Sequence, residues 1–248
     1  MNIIILSEIT LIDKLAEKIK LSSGNLIYFP LIKAQPLQVH TENILKKIQR
    51  ADKVIFQSKN SVRYSNEFWN SVSLNKKVAC FAVGKFTAAE VKKKIGVNCS
   101  YPQKHYSSEG LLEIAEMAIG AGENVVVMKG SGGRSLIEEK LSKRGFLVDS
   151  FDLYKRTKIS FSPKEVPLDR NKLNYIVVLS KDSLDAFTDS FDPKITPYRL
   201  VFVAPQRILE SHSLKKFSPL KTIIINKMDD AGSYFDVIEK YQRLNKST

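Results

Sequence analysis

The sequence predicts an α/β fold of two small parallel-sheet α/β domains, one inserted into the other and joined by a two-stranded linker. Three observations lead there. Short apolar runs recur along the chain, amphipathic helical patterns lie between many of them, and the elements repeat in the order A, B, A′, B′.

Taken in order, Ile3–Leu6 and Leu26–Phe29 are separated by a helical face of Leu11, Leu15 and Ile19 that Gly24 closes. Val54–Phe56 and Val78–Val83 follow. Val125–Met128 leads through a glycine-rich turn into a helix with the face Leu136, Ile137 and Leu141, closed by Gly145 before Leu147–Phe151. Tyr175–Leu179, Leu200–Val203 and Thr222–Ile225 complete the series. Unbroken runs of this kind suit parallel strands covered on both faces.

Segments 3–32 and 125–156 share one plan of strand, turn, helix, glycine and strand. VIFQSKNSVRYSNEF at 54–68 matches IVVLSKDSLDAFTDSF at 176–191, and each precedes a further strand and helix. Two extended polar stretches flank the middle block: IKAQPLQVHTE at 32–42, with Pro36, and KRTKISFSPKEVPLD at 155–169, with Pro163 and Pro167. We therefore expect a discontinuous domain of residues 1–33 and 160–248, an inserted domain of 38–154, linker strands at 34–37 and 155–159, and a cleft between the domains.

Lys and Arg number 39 against 26 Asp and Glu, a net charge of +13, which concentrates polyanions of any kind near the chain. The lysine runs KKKIG at 92–96 and SLKKF at 213–217 carry no interleaved stacking aromatics, so they read as solvated faces and no nucleic acid is expected. Nothing approaches the roughly 20 apolar residues of a membrane span, and Ile3–Leu6 is too short for a signal peptide, so a cytoplasmic protein with no membrane partner is expected. Cys80 and Cys99 are too few for a zinc cluster or a disulfide framework, and His40, His105 and His212 lack ligand spacing, so no metal is expected.

The turn KGSGGR at 129–134 raises the question of an anion. A P-loop needs Lys and Ser or Thr directly after its last glycine, whereas Lys129 precedes Gly130 and Arg134 follows Gly133. A dinucleotide fingerprint fails at Ser135. A plain tight turn and a site for an anion other than a nucleotide remain.

The motifs FPLI at 29–32, IFQSKNSV at 55–62, AVGKFTAAEV at 82–91, SSEGLL at 107–112, MKGSGGRSLIEEKLSKRGFLV at 128–148, DLYKR at 152–156 and LSKDSLDAF at 179–187 follow the order of the uroporphyrinogen-III synthase family. The resemblance covers nearly the whole chain. It implies two α/β domains on a two-stranded linker, domain one being discontinuous, and a cyclising hydro-lyase that needs no cofactor. The implied substrate is hydroxymethylbilane, a linear tetrapyrrole with an acetate and a propionate on every ring. Closure loses water and inverts the last pyrrole, through a spirocyclic intermediate, in haem and tetrapyrrole biosynthesis. A monomer is expected, with transient contact with hydroxymethylbilane synthase because the substrate is unstable. A bilobal module that binds a small polyanion without chemistry is the alternative. Three places depart from the family pattern: Leu6-Ser7-Glu8 where many members carry arginine, Lys129-Gly130 for Arg-Gly, and Ala204-Pro205-Gln206-Arg207 for a turn with glycine and a hydroxyl.

Turns at the C-terminal ends of parallel strands are the usual ligand side, and their N–H groups suit carboxylates. The expected substrate-binding residues are Ser58, Lys59, Asn60, Ser61, Gly84, Thr87, Ser108, Glu109, Lys129, Gly130, Gly133, Arg134, Ser180 and Ser183. Helix capping is the other role open to Ser58, Ser108 and Ser180, and a solvated helix start to Lys129 and Arg134. For the acid, the resemblance points to Tyr154 in DLYKR, since a phenol near pKa ~10 holds its proton at neutral pH. A packed aromatic at the strand end is its other reading.

Overall fold

The computed structural model describes residues 1–7, 24–71, 78–191, 199–210, 214, 221–225 and 231–246. The expected helical face of Leu11, Leu15 and Ile19 lies outside them, as does most of the 213–217 lysine run. Among the described residues the strands are β1 (Asn2–Ile5), β2 (Asn25–Tyr28), β3 (Ile32–Pro36), β4 (Lys53–Phe56), β5 (Ala79–Ala82), β6 (Asn124–Gly130), β7 (Leu147–Lys158), β8 (Asn174–Val177), β9 (Leu200–Ala204) and β10 (Lys221–Ile224). The helices are α1 (Thr41–Arg50), α2 (Lys59–Ser71), α3 (Lys85–Ile95), α4 (Ser108–Leu112), α5 (Leu136–Lys143), α6 (Lys181–Ser190), α7 (Gln206–Leu209) and α8 (Ala231–Lys246). Contacts divide the chain into two compact units, residues 1–33 with 157–248 and residues 34–156.

The first unit holds a parallel sheet in the order β10-β9-β8-β1-β2. Its apolar runs sort by the period-two geometry of a strand. Ile4, Leu6, Ile176, Val178, Phe202 and Ala204 pack on one face, with Leu184 and Phe187 of α6. Ile3, Ile5, Tyr175, Val177, Val201 and Val203 pack on the other, with Tyr234, Phe235 and Ile238 of α8. Burial of each Val, Ile, Leu or Phe side chain contributes about 1.5–3 kcal/mol, and covering both faces is why these strands read as unbroken apolar runs.

A polar clamp closes the N-terminal edge of this sheet. The Asn2 side-chain amide donates to Asn174 Oδ1 and to the Pro167 carbonyl, both at 2.8 Å. Asn174 is fully buried; it accepts from the Asp169 N–H at 2.8 Å and donates to the Asp169 carbonyl at 2.8 Å and the Lys172 carbonyl at 3.1 Å. Asn174→Ala is expected to destabilise the protein by about 1–3 kcal/mol, because it strands buried donors and acceptors. Urea unfolding of the variant would measure it; an unchanged midpoint would mean that water replaces the amide.

The second unit holds a sheet in the order β3-β7-β6-β4-β5, with β5, β4, β6 and β7 parallel. Val54, Phe56, Val126 and Met128 face α1 and α2, against Ile44, Ile48, Val62 and Phe68. Ile55, Val125 and Val127 face Leu111, Ile137 and Leu141 of α4 and α5.

Two stretches overlap the expected linker strands at 34–37 and 155–159. Residues 32–36 form β3, a half-exposed edge strand that lacks the apolar content of an inner one; its Pro36 is tolerated because an edge needs fewer ladder donors. β7 continues past Phe151 to Lys158, through the DLYKR motif. Its continuation has β3 as partner: Leu37 N–H donates to the Leu153 carbonyl at 3.0 Å, and Ile159 N–H to the Leu31 carbonyl at 2.8 Å. Residue numbers rise on one strand as they fall on the other, so the pairing is antiparallel.

Candidate active site

β4 ends at Phe56, and after Gln57 the chain turns at Ser58 into α2. Ser58 Oγ accepts the Ser61 N–H at 3.0 Å, Ser58 N–H donates to Ser61 Oγ at 3.1 Å, and Ser61 Oγ donates to the Ser58 carbonyl at 2.7 Å. This reciprocal cap fixes the first turn and occupies the Ser61 hydroxyl, which is fully buried. Lys59 and Asn60 then stand in the first helical turn, where the helix supplies no acceptor for their N–H groups. Burial holds the Lys59 amine below its ordinary value, Arg63 adds to the depression and Glu90 opposes it.

Tyr154 stands across from this turn. Pairing of β6 with β7 slips after Lys129, which lies opposite Asp152, so that Gly130 lies opposite Tyr154. Such a bulge re-aims side chains. It explains why the consecutive residues Leu153 and Tyr154, which a regular strand would send to opposite faces, both join the α1–α2 side of the core. Tyr154 is 7% exposed, its Oη lies 2.9 Å from Ser58 Oγ, and its ring stacks on Tyr64 with centroids 5.6 Å apart. Tyr64 is held in turn by its hydroxyl, which donates to the Ala34 carbonyl at 2.8 Å.

Gly130 has a packing role: a β-carbon built on it would lie 2.8 Å from both Cε2 and Oη of Tyr154. In the same turn Gly132 has φ +74, the left-handed region that glycine tolerates, whereas Gly133 does not, and its nearest neighbour for a β-carbon would be the Gly130 carbonyl at 3.4 Å. The conformational demand therefore falls on Gly132. The two cations of the turn both have carboxylates within the protein. Lys129 pairs with Glu138, the side chains being only 12% and 15% exposed. Arg134 pairs with Glu109 at 2.6 Å in the open, at 68% and 51%.

The bond from Arg134 is the first cause that holds the Glu109 carboxyl down at about 2. A depressed carboxyl contributes stability above its unfolded value, and this is lost as pH falls through the folded one, so the link should loosen between the ordinary value of 4.5 and about 2. Arg134→Ala is expected to return the Glu109 titration, followed by NMR of the side-chain carboxyl, to the ordinary range. A midpoint left near 2 would assign the depression to the α4 turn instead.

The remaining turns divide. Gly84 caps α3 in extended backbone, and a β-carbon there would come within 2.9 Å of Tyr106 Cβ. The Thr87 N–H already donates to the Gly84 carbonyl at 3.0 Å, and its side chain is buried. α4 is capped by Ser107, whose side chain accepts the Gly110 N–H, so Ser108 is not the cap but the first helical residue. In the first unit, Ser180 repeats the geometry of Ser58: its Oγ accepts the Ser183 N–H at 3.2 Å and lies 2.8 Å from Ser183 Oγ. The turn after β9 opens α7 with Pro205, which brings neither an N–H nor a capping side chain.

The structure thus brings Ser58, Lys59, Asn60, Ser61, Gly130 and Tyr154 together on the second unit, and Ser180 with Ser183 on the first. Tyr64 and Glu138 are not expected from the sequence. Tyr64 gives no local signal, because only the bulge in β7 shows which ring it meets. No group of three His, Cys, Asp or Glu among the described residues is placed to hold a metal, and no helix among them is long and apolar enough to cross a membrane.

The family model described as Uroporphyrinogen-III synthase HemD matches residues 13–206. The chain belongs to the uroporphyrinogen-III synthase family. The synthase of Proteus mirabilis is 30% identical over 129 residues, 51% of this chain and 65% of that protein. The synthase of Escherichia coli K12 is 32% identical over 106 residues, 42% of this chain and 43% of that protein. The chain therefore matches less than two thirds of the length of these curated relatives. Among solved structures, the uroporphyrinogen-III synthetase of Helicobacter pylori 26695 shares 12% identity at a TM-score of 0.64, covering 97% of this chain and 99% of its own. A mutant uroporphyrinogen III synthase of Thermus thermophilus shares 14% at 0.60, with both chains fully covered. At those identities the likeness is one of fold. Ser58, Gly130, Tyr154, Ser180 and Ser183 all fall inside the span matched by the synthase family, whereas β10 and α8 follow it.

Proposed function

We propose that this protein is a uroporphyrinogen-III synthase, converting hydroxymethylbilane into uroporphyrinogen III with loss of water and inversion of ring D. The observation that carries the reading is the Tyr154 phenol held against Ser58 beside the C-terminal edge of a parallel sheet, in a chain of this family. Ser58 Oγ accepts the Ser61 N–H, so its own proton can go to Tyr154 Oη. In that arrangement the phenolic proton is directed away from Ser58, toward the departing hydroxyl, and the serine stabilises the charge that develops on the phenol oxygen. The hydroxyl leaves as water, and the electron-rich pyrroles supply the electrons for ring closure.

Carboxylates of the substrate are received by the first-turn N–H groups of α2, by Lys59 and Asn60, and in the first unit by the turn from Ser180 to Ser183. Each charge-assisted bond contributes roughly 1.5–3 kcal/mol, so several must act together on a flexible octacarboxylate. Gly84, Thr87, Ser108, Glu109, Gly133 and Arg134 stay in the proposal as neighbours of the site, with Glu109 screening Arg134 until a substrate carboxylate displaces it. The protein works in the cytoplasm as a monomer, in transient contact with hydroxymethylbilane synthase.

Incubation with hydroxymethylbilane generated in situ, followed by oxidation and separation of porphyrin isomers, tests the activity. Type III is expected. Type I alone is the product of spontaneous closure and would leave a binding module in place of an enzyme.

A further inference from the structure

Cys80 and Cys99 take no part in the site above. Cys80 lies on β5, the edge strand, and is 6% exposed; Cys99 follows α3 and is half-buried. After α3 the chain returns alongside β5. Ser100 N–H donates to the Cys80 carbonyl and Ala82 N–H to the Ser100 carbonyl, both at 2.9 Å, which sets Phe81 opposite Ser100 in parallel register. One residue earlier, the same register sets Cys80 opposite Cys99. Opposed residues of a parallel pair point to the same face, and a strand spacing of roughly 4.8 Å lies within the roughly 4.4–6.8 Å Cα separation that a disulfide spans. The Cys80 thiol donates to the Val78 carbonyl at 4.0 Å, and the two thiols lie close enough to perturb each other's titration. A cavity of about 470 Å³ lined by Cys99, Pro102, His105 and Glu113 opens on the Cys99 side of the pair.

We propose that Cys80 and Cys99 form an oxidisable dithiol, a modification site at which a small hydroperoxide closes a disulfide across the two ends of α3. Each thiol titrates under the influence of the other, and either can be oxidised first while its partner resolves it. One cysteine sulfur attacks one peroxide oxygen, the O–O bond breaks, and a sulfenic acid forms with release of the first water. The other sulfur then displaces the sulfenic hydroxyl as a second water, and the S–S bond forms. Both cysteines are oxidised by one electron pair in total, hydrogen peroxide is reduced to two waters, and a thiol reductant reverses the change.

The bond would enclose α3 and the Gly84 turn in one covalent loop. Its closure restricts the unfolded chain and should raise the unfolding temperature by about 5–10 °C. The test treats the reduced full chain with stoichiometric hydrogen peroxide, then maps peptides by mass spectrometry without reduction. A linked Cys80–Cys99 peptide pair lighter by two hydrogens, restored by dithiothreitol, is expected. In Cys99→Ser or Cys80→Ser the reaction should stop at a sulfenic acid on the remaining cysteine, trapped by dimedone. Intermolecular disulfides, or sulfinic acid on separate cysteines of the wild-type chain without the linked pair, would overturn the proposal whether or not the variants fold.

Discussion

Replacing Tyr154 by phenylalanine is expected to lower the rate of type III formation by about 10²–10⁴-fold, the usual contribution of a positioned proton donor. The ring would keep its stack on Tyr64 and its seat over Gly130, and only the bond to Ser58 would be lost. Stability should therefore change by no more than about 0.5–1.5 kcal/mol. Some type III product should persist, since the turns that fold the substrate are untouched. The decisive comparison is turnover against the urea midpoint of the same preparation. Full turnover in a folded Tyr154→Phe protein would remove the phenol from the reaction and leave it as a packed aromatic.

Lys129→Met is expected to act on stability first. Glu138 lies beside Lys129 in a mostly covered position, and its second carboxylate oxygen is buried without a hydrogen-bond partner. Removing the cation leaves a shielded charge unmatched, which costs about 3 kcal/mol at the lower end for such pairs. Replacing both partners, as Lys129→Met with Glu138→Leu, should recover most of that loss, because two matched apolar side chains avoid the desolvation of two ions. Had the lysine been kept for a substrate carboxylate, the single variant would bind product weakly while unfolding at the wild-type midpoint. Denaturation and product titration on one sample separate these results.

How far the molecule is legible in its sequence depends on whether a residue's partner is local. The inner strands stand out because both faces of β1, β4, β6, β8 and β9 are covered, which demands apolar residues along their central positions. The serine caps are equally plain: Ser58 with Ser61 and Ser180 with Ser183 are three residues apart, the reach of a side chain to a first-turn N–H. β3 is legible only as an extended linker stretch and not as part of a sheet, since an edge strand of half-exposed residues has no apolar signature. Nor are the carboxylates that occupy the turn's cations, because Glu138 and Glu109 lie nine and twenty-five residues away in sequence. Tyr154 stands out through its motif, but its contacts with Ser58 and Tyr64 depend on a bulge that no spacing rule announces.

The order of strands in the first sheet also bears on how the chain acquires its structure during synthesis. β1 has β2 on one side and β8 on the other, and its ladder with β8 joins Asn2 to Asn174. All of the second unit lies between those partners, and it is contiguous, so it can collapse as soon as it leaves the ribosome. At roughly 5–20 residues per second it takes on the order of ten seconds to emerge. Throughout that interval the apolar segment from Ile3 to Leu6 waits with one side of its ladder vacant. The inserted unit can thus be completed first and the split unit last, with the β1–β8 ladder closing only once β8 has been made.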